Sequence, residues 1–372
     1  MPSFIFFFME RDKVVECAFA KAFLHRNRLA NVLLDKYSSA EEIYSLPTTD
    51  LYEEVGEDFA KKIFSDQNLR WAEREVKWAE SKGVKLLFRG EEGYPELLCE
   101  CDDAPVMLFY KGCADLNNRK VISIVGTRLA SGYGKECCVK IIEGIAKYSP
   151  LIVSGLAYGI DISAHRAAMH NCVDTVAVLP NGLDRIYPAR HRNDAADMVE
   201  RGGVLTEFPR GVEPLKYNFI KRNRIIAGMS HGTVIVESRV KGGAMTTVEF
   251  ASIYNREIFA VPGRVSDSNS YGCNYLISKN VANIYLCDTT IPLTLGWDSG
   301  CDSGVGLQPN LFSGDINHKE KLLLTLRVLK SATIDLLACR TGFEWGQLSV
   351  LLLELELEGL IVQNNNQEYQ LR

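Results

Sequence analysis

The chain has 372 residues, 47% of them hydrophobic, and a formal net charge of −5 at pH 7. That length exceeds one ordinary domain and can fill a large core and one or two smaller ones, so three domains are expected. The acidic balance excludes a surface coated in basic residues, so any binding to nucleic acid must come from a local patch. Eleven cysteines, an odd number that includes the adjacent Cys137 and Cys138, fit free thiols in a reducing cytoplasm better than a secreted disulfide scaffold. Cys99 and Cys101 are a close pair without a second pair to complete four ligands, and His165 and His170 stand five apart, so no metal is expected. The apolar run Phe4 to Met9 is too short to cross a bilayer and no small-residue cleavage site comes after it, so no membrane insertion is expected.

Residues 10 to about 82 read as helical, with apolar positions such as Val14, Cys17, Phe23 and Leu33 and the later Trp71 and Trp78. Ser38 and Ser39 before Glu41 and Glu42 look like a capped helix start. From Leu86 to Lys111, short strands and turns join this helical region to a glycine-punctuated one.

There a unit of strand, glycine turn and helix recurs. Val121 to Val125 leads into Gly126-Thr127-Arg128, Leu151 to Val153 into Ser154-Gly155 and Gly159, and Thr175 to Val178 into Asn181-Gly182. Val234 to Val236 leads on toward Gly242-Gly243, and Ile258 to Val261 into Pro262-Gly263. This rhythm predicts an α/β fold with a doubly wound parallel sheet, whose ligands sit outside the carboxyl ends of the strands, where helix N-termini offer unpaired N–H groups to anions. The Gly- and Asp-rich stretch from Thr289 reads as a mobile linker. Three helical segments and a terminal hairpin between residues 314 and 372 read as a winged helix.

The segment from Lys216 to Ile226 alternates cations with aromatic and aliphatic residues. With a helix from Asn218 to Met229, Phe219, Arg222, Asn223 and Ile226 share a face and Lys216 stands just before the first turn. Such a face can stack a base and hold phosphates, as in binding of single strands without sequence readout. The plainer alternative, with Phe219 and the isoleucines in the core and the arginines in salt bridges, stays open at this point. Gly126 lets backbone approach a phosphate and Arg128 adds a bidentate donor; the alternative is a tight turn with Arg128 in solvent. Ser154 and Gly155 offer donors by the same logic, Asp161 reads as a cap for the following helix, and His165 as a packed helical residue.

Gly242 to Glu249 resembles the P-G-G-x-G-T-x-x-E signature of nucleotide phosphoribohydrolases, with Lys241 in place of the proline and Met245 in place of the third glycine. No nucleophile with a partner base and no paired carboxylates accompany it, so catalysis is not expected.

In order along the chain stand G-Y-P-E-L-L (93–98), I-V-G-T-R (124–128), S-G-L-A-Y-G-I-D-I-S-A-H (154–165), G-L-D-R-I-Y-P (182–188), T-E-F-P (206–209), F-I-K-R-N-R-I-I-A-G (219–228), G-G-A-M-T-T (242–247) and V-P-G (261–263). Together they resemble the DNA-processing protein A family, also called DprA or Smf. The resemblance implies a helical domain of the SAM or helix–hairpin–helix kind over 1–82, an extended Rossmann-like domain over 83–288, a linker over 289–312 and a winged helix over 313–372. It also implies a non-enzymatic, cofactor-free, cytoplasmic homodimer that binds and shields single-stranded DNA and helps load the recombinase RecA during natural transformation. The family's pocket maps onto Gly126, Thr127 and Arg128 and onto Lys216 with Phe219. Arg128 and Lys216 are then phosphate contacts, Phe219 a base platform, and Thr127, Ser154, Gly155 and Gly243 hydroxyl or backbone donors, with Arg222, Asn223 and Arg224 beside them. The tail carries six Lys and Arg against eight Asp and Glu over 313–372, which argues against tight duplex binding.

Overall fold

The computed structural model describes residues 13–297, most of 331–371 and scattered positions between 319 and 329. The run Phe4 to Met9 and positions 298–312 of the expected linker lie outside the described residues. The chain divides into two compact units at Gly300.

Among the described residues of the first unit, six α-helices precede the sheet: α1 (13–22), α2 (Asn27–Tyr37), α3 (Ala40–Ser45), α4 (Tyr52–Val55), α5 (Glu57–Ile63) and α6 (Asp66–Ser81). Ser39 caps α3 by accepting from the Glu42 amide at 3.1 Å, and Ser65 caps α6 in the same way. The helices close on Phe19, Phe23, Leu33 and Ile63, with the Phe19 and Phe23 rings 4.5 Å apart. That core does not stop at residue 82: Phe88, Met107 and Phe109 of the first two strands belong to it.

The sheet has nine strands: β1 (Lys85–Phe88), β2 (Met107–Gly112), β3 (Val121–Val125), β4 (Leu151–Ser154), β5 (Thr175–Val178), β6 (Gly203–Thr206), β7 (Gly232–Ile235), β8 (Glu257–Ala260) and β9 (Asn283–Ile284). Their order is β1-β2-β6-β5-β4-β3-β7-β8-β9, with β3 to β9 parallel and β1 and β2 an antiparallel edge. Strands β3 to β7 are buried along their whole length because helices cover both faces. The helices are α7 (Glu96–Cys99), α8 (Gly132–Ala146), α9 (Ile160–His170), α10 (Arg192–Arg201), α11 (Lys216–Gly228), α12 (Gly243–Ile253), α13 (Tyr271–Ser278) and α14 (Thr290–Thr294). From β3 the chain winds one way to β4, β5 and β6 and then returns to β7 on its other side. The carboxyl ends of β3, β4 and β7 therefore form a topological switch point, where the crevice of such a sheet lies.

Three local expectations are corrected. Helix α11 starts at Lys216, so that lysine is its first residue and does not precede it. Order continues beyond 288, because Ile291 of α14 and the nearby Trp297 are buried against Tyr148 and α8. Asp161 does not cap α9, whose N-cap is Gly159; its carboxylate accepts from the Ala157 amide in the loop before the helix.

The second unit holds helices Ile334–Thr341 and Trp345–Leu357 and strands β10 (Ser331–Thr333), β11 (Ile361–Gln363) and β12 (Glu368–Leu371). The expected hairpin is β11 with β12, and β10 adds to it on the far side of β12. Leu322, Leu326, Leu337, Leu351 and Leu355 fill the core of this unit.

Candidate functional site

The loop after β3 closes the crevice at the switch point. The Thr127 amide donates to the Glu237 carbonyl at the end of β7 at 2.7 Å, and the Thr127 carbonyl accepts from the Ile160 amide at 3.1 Å. This packing needs glycines: a Cβ on Gly126 would meet the Ile160 side chain, and one on Gly159, which has φ of 80°, would overlap the Thr127 carbonyl. The fully buried Glu237 carboxylate accepts from the Ser131 amide at 2.9 Å and from its hydroxyl at 2.5 Å, and Gly134 leaves room for it. Arg128 and Thr127 are thereby held at the rim on a rigid turn.

Helix α11 supplies the opposite wall. The Arg128 guanidinium lies over the Phe219 ring, 4.8 Å from its centroid, and the Tyr187 ring meets Phe219 edge-on at 5.7 Å. Lys216 is exposed at the first residue of a helix that has neither a side-chain cap nor an acidic residue in its first turn. A cation there opposes the helix dipole, and it adds to the free N–H groups to make a site for an anion. The N-terminus of α12 also lacks a side-chain cap; Asn223 ties it to α11 by donating to the Thr246 hydroxyl at 2.8 Å and to the Gly243 carbonyl at 3.3 Å.

The structure thus brings Arg128 of the β3 turn and Phe219 of α11 together, ties Asn223 to Gly243 at the α12 N-terminus, leaves Lys216 exposed at the start of α11, and turns four other expected contacts inward. Arg222 is buried, and its Nη1 donates to the carbonyl of Gly155 at 2.6 Å and to that of Val178. Burial pulls its pKa down to about 10, opposed by the Asp161 carboxylate, so it stays charged at neutral pH. Burial in turn raises the Asp161 carboxyl against the pull of Arg222. Gly155 does not offer a free amide, because its N–H is bonded to the Asp161 carboxylate, and a Cβ at this position would meet the Arg222 guanidinium. Arg224 is likewise buried, 2.5 Å from the Glu207 carboxylate and bonded to the Asp103 carbonyl. The Ser154 hydroxyl donates to the Ile124 carbonyl at 2.6 Å and so is turned away from the crevice. Arg222 and Arg224 brace the walls because a helix packed on a sheet buries much of its circumference, whereas Lys216 is exposed and Phe219 and Asn223 are half-buried.

Tyr187 is the residue that the sequence did not single out for a role. An aromatic in a loop beside Pro188, following a strand of the same sheet, is the signal that could have pointed to it. Glu249, the carboxylate of the phosphoribohydrolase-like stretch, is exposed on α12. His165 is the packed helical residue expected of it, fully buried with Nδ1 2.7 Å from Thr175 Oγ1.

Residues 85–294 match the family of DNA recombination-mediator protein A, and residues 322–366 match the DprA winged helix domain. The chain belongs to this family. It is 41% identical over 189 residues to DNA processing protein DprA of Streptococcus pneumoniae, covering 51% of this chain and 67% of that protein. With protein Smf of Synechocystis sp. it shares 30% identity over 352 residues, 86% of this chain and 88% of that one. Among solved structures, DprA from Streptococcus pneumoniae aligns with a TM-score of 0.55 at 32% identity, covering 67% of this chain and 92% of the other. DprA from Helicobacter pylori, whose structure was described for its single-stranded DNA binding mode, aligns with a TM-score of 0.53 at 28% identity, over 58% and 96% of the two chains.

Proposed function

We propose that the crevice binds single-stranded DNA, with Arg128 and Lys216 on phosphates, Phe219 as a platform for a base, and the Thr127 hydroxyl and the α12 N-terminus as polar donors. The observation that carries this reading is the Arg128 guanidinium on the Phe219 ring at the switch point. It places a phosphate-binding cation against a stacking surface, which is the pairing that holds single strands without reading their sequence. Membership of the recombination-mediator family and likeness to the Helicobacter pylori protein support it.

On the same reading the protein is a cytoplasmic homodimer that shields incoming single strands and helps load RecA during natural transformation, without catalysis of its own. Fluorescence anisotropy of labelled oligo-dT at two salt concentrations tests the binding. Affinity is expected to fall as salt rises and to be little reduced by competing duplex; a flat salt response would count against it. RecA filament growth on single strands, with and without the protein, tests the loading role. Release of free base from nucleoside monophosphates, abolished by Glu249→Gln, would replace the non-catalytic reading with an enzymatic one.

A further inference from the structure

Two open clefts of about 570 and 450 Å³ lie along the helices that precede the sheet; the larger is closed by the loop from Pro209 to Val212 and the smaller reaches α11 at Tyr217, Ile220 and Lys221. They share His25 and Arg26, so they adjoin. The larger is lined by Lys21, Arg26, Lys62 and Arg210, with no carboxylate among its lining residues; the smaller adds Arg28, Arg224 and Lys221, which is paired with Glu207 at 3.5 Å, and one carboxylate, Asp103. In a chain of net charge −5, such a concentration of positive charge needs an explanation.

Its cations are arranged as in the crevice. The Arg26 guanidinium lies over the Phe59 ring at 4.4 Å and the Lys21 ammonium over the Trp71 ring at 4.1 Å. Arg26, Arg28 and Lys62 have no ion-pair partner among the described residues. Burial lowers the pKa of Lys21, with the charge of Lys62 adding to it, and burial with the charge of Lys221 lowers that of His25. Arg210, by contrast, is held by the buried Glu75 at 2.8 Å and fixes the wall. An anion with several charges satisfies this set, and clefts of this size hold far more than one phosphate.

Helix α11 gives the two sites a common edge. Phe219 faces the crevice, Tyr217 and Ile220 line the smaller cleft, and both Tyr217 and Lys216 are exposed on the first turn between them. We propose that the clefts are a second track for single-stranded nucleic acid, which a strand held at Phe219 enters by passing over the first turn of α11. Phosphates then meet Arg26, Arg28 and Lys62, and bases reach Tyr217. The inference rests on the reading of the crevice as a single-strand site.

The test compares labelled oligo-dT of about 6 and about 30 nucleotides, within and beyond the length that one small site covers. The Arg26→Ala/Arg28→Ala/Lys62→Ala variant is expected to bind the short probe as the wild type does. It should bind the long one roughly tenfold more weakly, with a salt dependence shallower by about 2, at about 0.7 for each phosphate no longer neutralised. The Arg26→Lys/Arg28→Lys/Lys62→Arg variant should keep the long-probe affinity, which separates charge from damage to the fold. An iodouracil placed toward the far end of the long probe should photocrosslink to Tyr217. Equal long-probe affinity in wild type and alanine variant, or equal losses on both probes, overturns the track. An acidic peptide that binds the wild type but not the alanine variant, without displacing the long probe, would assign the clefts to a protein partner and also overturns it. Failure of the wild type to bind even the short probe would instead refute the crevice reading itself.

Discussion

The Arg128 guanidinium and the Phe219 ring lie 4.8 Å apart, yet one belongs to the turn after β3 and the other to the helix that leads into β7. Their contact joins the two sides of the switch point. It also means that a base stacking on Phe219 must share the ring with Arg128 or slide between ring and cation. The two residues are therefore expected to act as a unit. Phe219→Ala and Arg128→Ala should each weaken oligo-dT binding by roughly 1–3 kcal/mol, and the double variant should lose less than the sum by about 0.5 kcal/mol or more. Phe219→Trp should retain most of the affinity. Strict additivity in the double-mutant cycle would sink the idea of a shared platform.

Arg222 has a different expected signature from Lys216. Arg222→Met leaves the Gly155 and Val178 carbonyls without their donor and the buried Asp161 without the positive charge that most opposes its desolvation. Removing one partner of a buried charged pair costs about 3–5 kcal/mol, which urea denaturation would read directly. Lys216→Ala, at an exposed position, should change stability by no more than about 0.5 kcal/mol while weakening DNA binding. A stable Arg222→Met protein that fails to bind DNA would return Arg222 to the strand.

That contrast marks where the sequence was legible. The strand–glycine–helix rhythm placed β3, β4, β5, β7 and β8 within a residue or two, because fully buried parallel strands are continuous apolar runs ended by turns. The turn Gly126-Thr127-Arg128 was legible as a turn because it ends a fully buried strand of the sheet. The arginines of α11 could not be sorted, since a guanidinium looks the same in sequence whether it meets water, a phosphate or a carbonyl. The Gly155 and Val178 carbonyls decide Arg222, and Glu207 with the Asp103 carbonyl decides Arg224. Tyr187 reaches Phe219 through a loop whose path no periodicity encodes.

His165 makes the fold acid-sensitive. The Thr175 hydroxyl donates to the Ile152 carbonyl at 3.0 Å, so the ring's Nδ1 must carry the hydrogen that it shares with that hydroxyl, and Nε2 is left buried without a partner. Burial, with the charges of Arg222 and His191 adding to it against the pull of Asp194, lowers the imidazole pKa from 6.5 to about 3. The folded protein then holds His165 neutral while the unfolded chain takes up a proton below pH 6.5. Its contribution is full above that pH and is lost as pH falls toward 3. Between pH 7 and pH 5 the loss amounts to about 2 kcal/mol. Urea midpoints at the two pH values, measured for wild type and His165→Gln, should show a smaller acid shift in the variant. Equal shifts would place the acid sensitivity elsewhere.

The C-terminal unit is expected to add little to single-strand affinity. A winged helix that grips nucleic acid does so with a helix bearing cations toward phosphates and base edges. Here Trp345–Leu357 has no Lys or Arg, carries Glu354 and Glu356, and exposes Trp345, Val350, Leu353 and Leu357. Glu354 draws the nearby Lys319 into an ion pair at 2.7 Å, which removes one more cation from reach of a strand. An apolar and acidic helix face repels phosphates and offers bases no fixed counter-charge. The chain ending at Gly300 keeps the crevice and the clefts whole, since the first unit has its own cores. Its oligo-dT affinity should stay within tenfold of the full chain, about 1.4 kcal/mol, with an unchanged salt dependence. A larger loss, together with a shallower salt dependence, would show that the second unit contributes phosphate contacts of its own.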